Sequence, residues 1–344
     1  MPCRLRVQLL TVMLLLCPLL ACAKKTAFWT ENTPSGISAN AGDVEPPSFG
    51  MRVAISPVWL PLSEKLARDG LQGPEVDALL ASLASQPTQS PMGRKIRELY
   101  NSQILQKKKK VKPLKHYRGI VNQENAKACR DFIQANHMAF KLAEQQYGVS
   151  PSIAVSLLFV ETRLGKVLGD IPENAFYTLA SMAVSRSLES IDSWLEKLPG
   201  YEQHTDWFVT TLNKRADWAY VEVRALVRYM LQNRIAPQNL PGSIYGAVGL
   251  CQFMPSNITI YGADGDGDGR VDLFTVPDAT ASLAKYLDKH GWRSGLSYKQ
   301  QHKVLMTYNH SVTYANTILD LGQLVQKLDN LKDLRQGKVP KRHG

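Results

Sequence analysis

Residues 150–165 read SPSIAVSLLFVETRLG. Ser is a preferred helix N-cap and Pro fits the first helical position, so Ser150-Pro151 starts a helix. Up to Val160 that helix is apolar on nearly all sides, and a helix of that kind is buried. It therefore belongs at the centre of the fold. The apolar run ends on Glu161. A carboxyl there loses solvent, which favours its neutral form and raises its pKa. A carboxylic acid kept protonated near neutral pH is what general acid catalysis requires. The competing reading is a structural ion pair with Arg163 or a distant Lys.

Working outward, Cys129, Ile133, Phe140, Ala143 and Tyr147 recur at helical steps and give one apolar face, which Gly148 ends. Further helical stretches are expected over about 174–199, 216–233, 277–290 and 314–330. Residues 58–105 carry shorter helical patterns, punctuated by Gly70 and Gly73. There is no internal repeat and no βαβ alternation. The chain reads as mainly α (α+β in class), with at most a few short strands.

The chain has 344 residues and a formal net charge of +11. Residues 1–21 form a signal segment, with Arg4 and Arg6 ahead of a short apolar stretch. Two cleavage readings compete. Ala21-Cys22-Ala23 fits ordinary signal peptidase, and Leu19-Leu20-Ala21-Cys22 fits a lipobox in which Cys22 is lipidated. An unpaired Cys beside the site favours the lipobox. Loss of Arg4 and Arg6 leaves a charge of about +9, which suits an anionic wall or membrane surface, and export argues against nucleic acid. Residues 22–50 are a Ser-, Gly- and Pro-containing tether. Residues 51–113 are a helical N-terminal segment with a basic linker, and residues 326–344 a basic tail. The basic run at Lys107–Lys110 reads first as a solvated linker. Besides Cys22, the body after the signal holds two cysteines, Cys129 and Cys251, too few for a disulfide framework.

Residues 243–256 read SIYGAVGLCQFMPS. Gly246, Ala247 and Gly249 permit a close backbone approach to a ligand, or equally a tight core turn. Three stretches occur in order: VETRLGKVLGD (160–170), YGAVGLCQFMPSN (245–257) and YNHSVTYA (308–315). Together they resemble the lytic murein transglycosylase B family, over roughly residues 114–325. The resemblance implies a lysozyme-like helical catalytic domain. It also implies cleavage of the β-1,4 bond between N-acetylmuramic acid and N-acetylglucosamine of peptidoglycan, with 1,6-anhydro ring formation. Glu161 would act as acid and then as base. Ser243 and Gln252 would contact the muramyl unit. Tyr308, Asn309 and Tyr314 would line the glycan cleft, and Tyr117 would join it. Lys214 and Arg215 would meet the peptide stem. Cys251 stands where the family usually has Gly, which reads as a structural exchange. A periplasmic enzyme anchored to the outer membrane through Cys22 is the implied setting. The alternatives are a hydrolytic muramidase and a non-catalytic wall-binding lipoprotein.

Residues 264–278 read DGDGDGRVDLFTVPD. Asp264, Asp266 and Asp268 fall at positions one, three and five of an EF-hand-like calcium loop. Gly269 falls at the bend, and the Arg270 carbonyl at seven. Asp272, at nine, would act through water or face solvent. Position twelve is Thr275, which offers no bidentate carboxylate. The family's lengthened loop closes on an Asp at the place of Asp278, so the resemblance implies a structural Ca2+. By itself Asp278 also reads as a charge at a helix N-terminus. No organic cofactor is expected.

Overall fold

The structure, a computed structural model, describes residues 54–105, 114–169 and 174–335. The signal segment, Cys22, the tether and the Lys107–Lys110 run lie outside them. Among the described residues the fold is mainly α, with thirteen α-helices. These are α1 (Leu60–Arg68), α2 (Pro74–Ala81), α3 (Ser90–Gln103), α4 (Gln123–Ala135), α5 (His137–Tyr147), α6 (Pro151–Thr162) and α7 (Ala175–Val184). They continue as α8 (Asp192–Leu195), α9 (Thr205–Asn233), α10 (Pro255–Tyr261), α11 (Val276–Lys289), α12 (Tyr298–Tyr308) and α13 (Val312–Arg335). In place of the few short strands expected, the described residues hold isolated bridges: Asn174 with Pro241, Gly242 with Val248, and Val248 with Phe253. All three gather the glycine-rich loop.

Helix α6 is the hub. It packs against α4, α5, α11 and α13, and Ile153 to Phe159 are buried along it. Ser150 takes the N-cap position, but its hydroxyl meets the Ser152 hydroxyl at 3.2 Å instead of a backbone N–H. Pro151 therefore carries the helix start. Helix α13 comes unusually close because of Gly322, where a Cβ would stand 3.0 Å from Ile153 Cδ1 and 3.2 Å from the Ser152 carbonyl. Val325 and Leu328 go on packing against the core, and the helix ends at Arg335, a few residues past the expected end near 330.

A second group surrounds α9, which packs against α7 and α10. Helices α1 to α3 lie on α7 and α9. The expected helix 174–199 is broken after Val184. There Ser185 leaves helical geometry, and Arg186 binds Asn213 and Asp217 of α9 at 3.2 and 2.6 Å. Helix α9 also starts earlier than expected, at Thr205, and Phe208 and Leu212 of its first turns are buried. One buried acid holds α10 in place. Glu222 of α9, 4% exposed, accepts from the Ser256 backbone N–H and hydroxyl, each at 2.9 Å. Helix N-termini leave donors unsatisfied, and a carboxylate suits them by charge as well as geometry. Burial raises the Glu222 pKa against those bonds.

Glu222→Ala is expected to cost about 2–4 kcal/mol in urea unfolding, because it strips the α10 donors and leaves a void. Glu222→Gln, which keeps one acceptor, is expected to cost clearly less. Equal losses would show that the hydrogen bonds to Ser256 contribute nothing.

Candidate active site

Glu161 lies in the last turn of α6, where the buried helix meets the outside, and it keeps partial exposure. The turn behind it is unusual. Arg163 and Leu164 both have positive φ, at 53° and 62°. For residues with a Cβ that costs roughly 1–2 kcal/mol each. The geometry is held by Arg163 N–H to the Phe159 carbonyl (3.0 Å) and Leu164 N–H to the Leu158 carbonyl (3.3 Å). It turns the Arg163 guanidinium onto the Phe159 ring, 4.8 Å from its centre. Arg163 therefore stacks on an aromatic face and does not neutralise Glu161.

The partner of Glu161 is Tyr314 of α13, whose hydroxyl donates to Oε1 at 2.5 Å. Burial pushes the Glu161 carboxyl up from 4.5 to about 7, and the Tyr314 bond pulls against it. Tyr314 is fully buried, and burial together with the Glu161 charge holds its phenol well above the ordinary value. It therefore stays a donor. Its ring stacks with Tyr308, centroids 6.3 Å apart and planes 13° apart. Tyr308 packs in turn against Phe253 and Tyr286.

The glycine-rich loop is tied to this point. Thr162, the neighbour of Glu161, donates to the Leu250 carbonyl at 2.9 Å. Tyr308 donates to the Cys251 carbonyl at 2.5 Å. Gln252 has a positive φ of 50°, and its Nε2 reaches the Gly249 and Leu168 carbonyls at 2.9 and 3.3 Å. Gly249 sits where a Cβ would fall 2.4 Å from Leu273 Cβ. Ser243 turns inward, its Oγ accepting from Ala247 N–H at 3.0 Å and Tyr245 N–H at 3.3 Å. Cys251 is buried with its thiol pushed up by burial, a group with no nucleophilic character. It and Cys129 are both free.

Two polar atoms in this region are buried without a hydrogen-bond partner: Asn309 Oδ1 and the Tyr117 hydroxyl. Burial pushes the Tyr117 phenol to about 12, and the Ser311 hydroxyl stands near without making a well-formed bond. Orphaned polar atoms of this kind mark places where a ligand supplies the missing partner. Lys214 and Arg215 lie elsewhere. They line a groove of about 450 Å³ with Leu99, Gln103 and Trp207, along α3 and α9. None of the residues that surround Glu161 lines that groove.

At the aspartate loop, oxygens of Asp264, Asp266 and Asp268 lie within 4.8 Å of one another, all three side chains exposed. Backbone N–H groups shape the loop: Gly267 and Gly269 donate to Asp264 at 2.6 and 2.8 Å, and Arg270 donates to Asp268 at 2.8 Å. The Gly269 and Gly267 bonds hold the Asp264 carboxyl below its ordinary value. Three hard, like-charged oxygen donors facing one point fit a calcium ion. Asp278 lies outside that close group, its carboxyl raised first by burial and then by the charges of Asp266 and Asp264, which are near enough to act on it. It is 2% exposed, and its oxygens accept from Gly265 and Asp272 N–H at 2.7 and 2.6 Å. It thus fastens the loop to the start of α11 through the backbone.

Several supports carried no local signal. Thr162 and Glu222 gain meaning only from Leu250 and Ser256, partners distant in the chain.

A model of the transglycosylase SLT domain matches residues 55–304. The chain is 32% identical over 157 residues to membrane-bound lytic murein transglycosylase B of Escherichia coli. That alignment spans 46% of this chain and 36% of the relative's length. Among solved structures it is similar to the soluble lytic transglycosylase SltB1 of Pseudomonas aeruginosa, with TM-score 0.60 and 21% identity, covering 80% of this chain and 100% of that one. It is also similar to the lytic transglycosylase Slt35 of Escherichia coli in complex with calcium, with TM-score 0.58 and 21% identity, covering 81% and 96%.

The raised Glu161 pKa makes stability depend on pH. A carboxyl raised in the fold stabilises below its unfolded value near 4.5, and that contribution is lost as pH rises through about 7. Glu161→Gln is therefore expected to melt several degrees above the parent at pH 8, with the gap closing by pH 4. The limit is on the order of 3 kcal/mol. Both proteins share Glu222 and Asp278, so the difference isolates Glu161. A gap that is flat with pH in thermal melts would remove the raised pKa.

Proposed function

Since the chain belongs to the transglycosylase SLT family, we propose that it is a peptidoglycan lytic transglycosylase. It cuts the β-1,4 bond between N-acetylmuramic acid and N-acetylglucosamine and closes a 1,6-anhydro ring on the muramyl unit. The observation that carries this reading is Glu161, a carboxyl raised to about 7 with a tyrosine donor and no cation acting on it.

Glycosidases that add water ordinarily use two carboxyl groups. No second carboxylate is among the groups acting on Glu161. One suffices for the anhydro reaction. Glu161 gives its proton to the glycosidic oxygen as the bond from C1 breaks. The substrate's acetamido group stabilises the positive centre at C1. The Glu161 carboxylate then takes the proton of the C6 hydroxyl, whose oxygen bonds to C1. The acid is regenerated and no water is consumed. Tyr314 favours the charged form and so eases the first half, proton donation, while burial keeps the carboxylate basic enough to take the C6 proton in the second. Tyr308 offers a flat face to sugars. Asn309 Oδ1 and the Tyr117 hydroxyl take hydrogen bonds with the glycan, which completes their unfilled valences. Ser243 and Gln252 shape the wall for the muramyl unit. Lys214 and Arg215, in their separate groove, suit the anionic peptide stem.

We further propose that Asp264, Asp266 and Asp268, with the Arg270 carbonyl, hold a structural Ca2+ that stiffens the loop ahead of α11. Asp278 contributes from below, through the loop backbone or directly. Export, with anchoring through Cys22, agrees with the lipobox spelling and with the membrane-bound relative. No helix among the described residues is long and apolar enough to cross a membrane.

Glu161→Gln is expected to lower release of soluble muropeptides from purified sacculi at least a thousandfold, on the order of what loss of a positioned acid–base group costs. Mass spectrometry of parent products should give fragments one water lighter than those of a muramidase. Hydrated reducing ends would replace the lyase reading with a hydrolase. Binding of sacculi with no turnover by the parent would leave a wall-binding protein.

For the metal, calorimetry should show calcium binding in the range of about 10⁻⁴ to 10⁻³ M or tighter. Asp264→Ala with Asp268→Ala should abolish it. Binding that survives both substitutions places the ion elsewhere.

A further inference from the structure

Ahead of α4, residues 114–122 cross α13 as an irregular strap. Each of its ties falls on one stripe of α13. Thr313 Oγ1 donates to the Leu114 carbonyl at 2.6 Å. Tyr117 N–H donates to Thr317 Oγ1 at 3.0 Å. Asp320 Oδ2 meets His116 Nε2 at 2.5 Å and Lys115 Nζ at 3.5 Å. Thr313, Thr317 and Asp320 follow at steps of four and three, so they share a face. Tyr314, the residue after Thr313, is the one that holds Glu161. The same helix thus sets both the acid and the strap.

The strap carries Tyr117, whose hydroxyl is buried and unpartnered and lies near enough to Glu161 and Tyr314 for their charges to act on one another. A buried hydroxyl without a partner costs about 1–3 kcal/mol. The ring of Tyr117 packs against the core, and the ties of the strap oppose the cost of keeping its hydroxyl from water. The two threonine ties are ordinary neutral bonds. The Lys115 side chain is 76% exposed and contributes little. The His116–Asp320 contact is short and more sheltered, with side chains 26% and 18% exposed. It sits immediately beside Tyr117. The Tyr298 hydroxyl, at 3.2 Å from Asp320 Oδ1, steadies the carboxylate from α12.

We propose that the His116–Asp320 pair is a latch that positions the Tyr117 hydroxyl over the reacting glycan at Glu161. This rests on the reading of Glu161 as the acid and base of the reaction. His116 and Asp320 are positioning residues. They act through Tyr117 and touch no substrate.

The test is a double-mutant cycle on peptidoglycan turnover. Asp320→Asn and Tyr117→Phe are each expected to lower kcat/KM about tenfold. The double variant should stand near the single ones, about tenfold down and not a hundredfold, because the latch has no effect once its cargo is gone. His116→Gln, which keeps a donor near the Nε2 position, should lose less than His116→Ala. Melting curves check that each variant is folded. If Asp320→Asn does not fold, the same cycle is run with His116→Ala. Multiplicative losses in an active parent, or full turnover by the folded latch variant, overturn the latch alone. A parent with no turnover overturns the functional reading and the latch with it.

Discussion

The Tyr314 hydroxyl on Glu161 joins the long helix α13 to the central helix α6, and it sets the working state of the carboxyl. Burial alone would drive Glu161 far toward its neutral form. The Tyr314 bond favours the ion. Their balance, at about 7, leaves a group able to give a proton and to take one back near neutrality. That balance survives only while α13 stays pressed on α6. Gly322, which has no Cβ to hold the helices apart, allows the approach. The Tyr308 ring, nearly parallel to Tyr314, keeps the phenol from swinging away.

Around that pair, the wall of the site is irregular backbone, rich in glycine and costly to order. It is fixed one carbonyl or one N–H at a time by side chains from the rigid helices. Thr162 takes the Leu250 carbonyl and Tyr308 the Cys251 carbonyl, and Glu222 takes the Ser256 N–H at the start of α10, where the loop ends. Asp278 performs the same service for the aspartate loop. Side chain-to-backbone bonds suit this task because they fix position without depending on the loop's own sequence. The loop is thereby free to use glycine where atoms must come close, as at Gly249 beside Leu273. Calcium would add one more clamp to a loop already held from beneath.

Some features were legible in the sequence because they depend on near neighbours. The apolar run from Ile153 to Val160 marked the central helix, and its end marked Glu161. The alternating aspartates marked a loop whose carboxylates converge, since two-residue spacing and glycine turns are local chemistry. Helical class followed from periodicity. Boundaries were less legible. Helix α9 begins at Thr205 because Phe208 and Leu212 find a place in the core, and α7 stops where Arg186 turns to bind that helix.

By itself, then, the sequence determined the helical class, the burial of α6 and the chemical type of residue at its end, all set within a few residues of chain. Only the tertiary structure decided that no cation from elsewhere in the chain comes to act on Glu161. It alone decided that Tyr314, 153 residues away, becomes the carboxyl's partner. It also bound Asp278 to the Gly265 and Asp272 N–H groups and set Lys214 and Arg215 in a groove of their own. The reason is physical. Periodicity and turn chemistry act between neighbours in the chain. A pKa depends on desolvation and on whichever dipoles and charges packing brings near, and these are fixed only when distant segments meet.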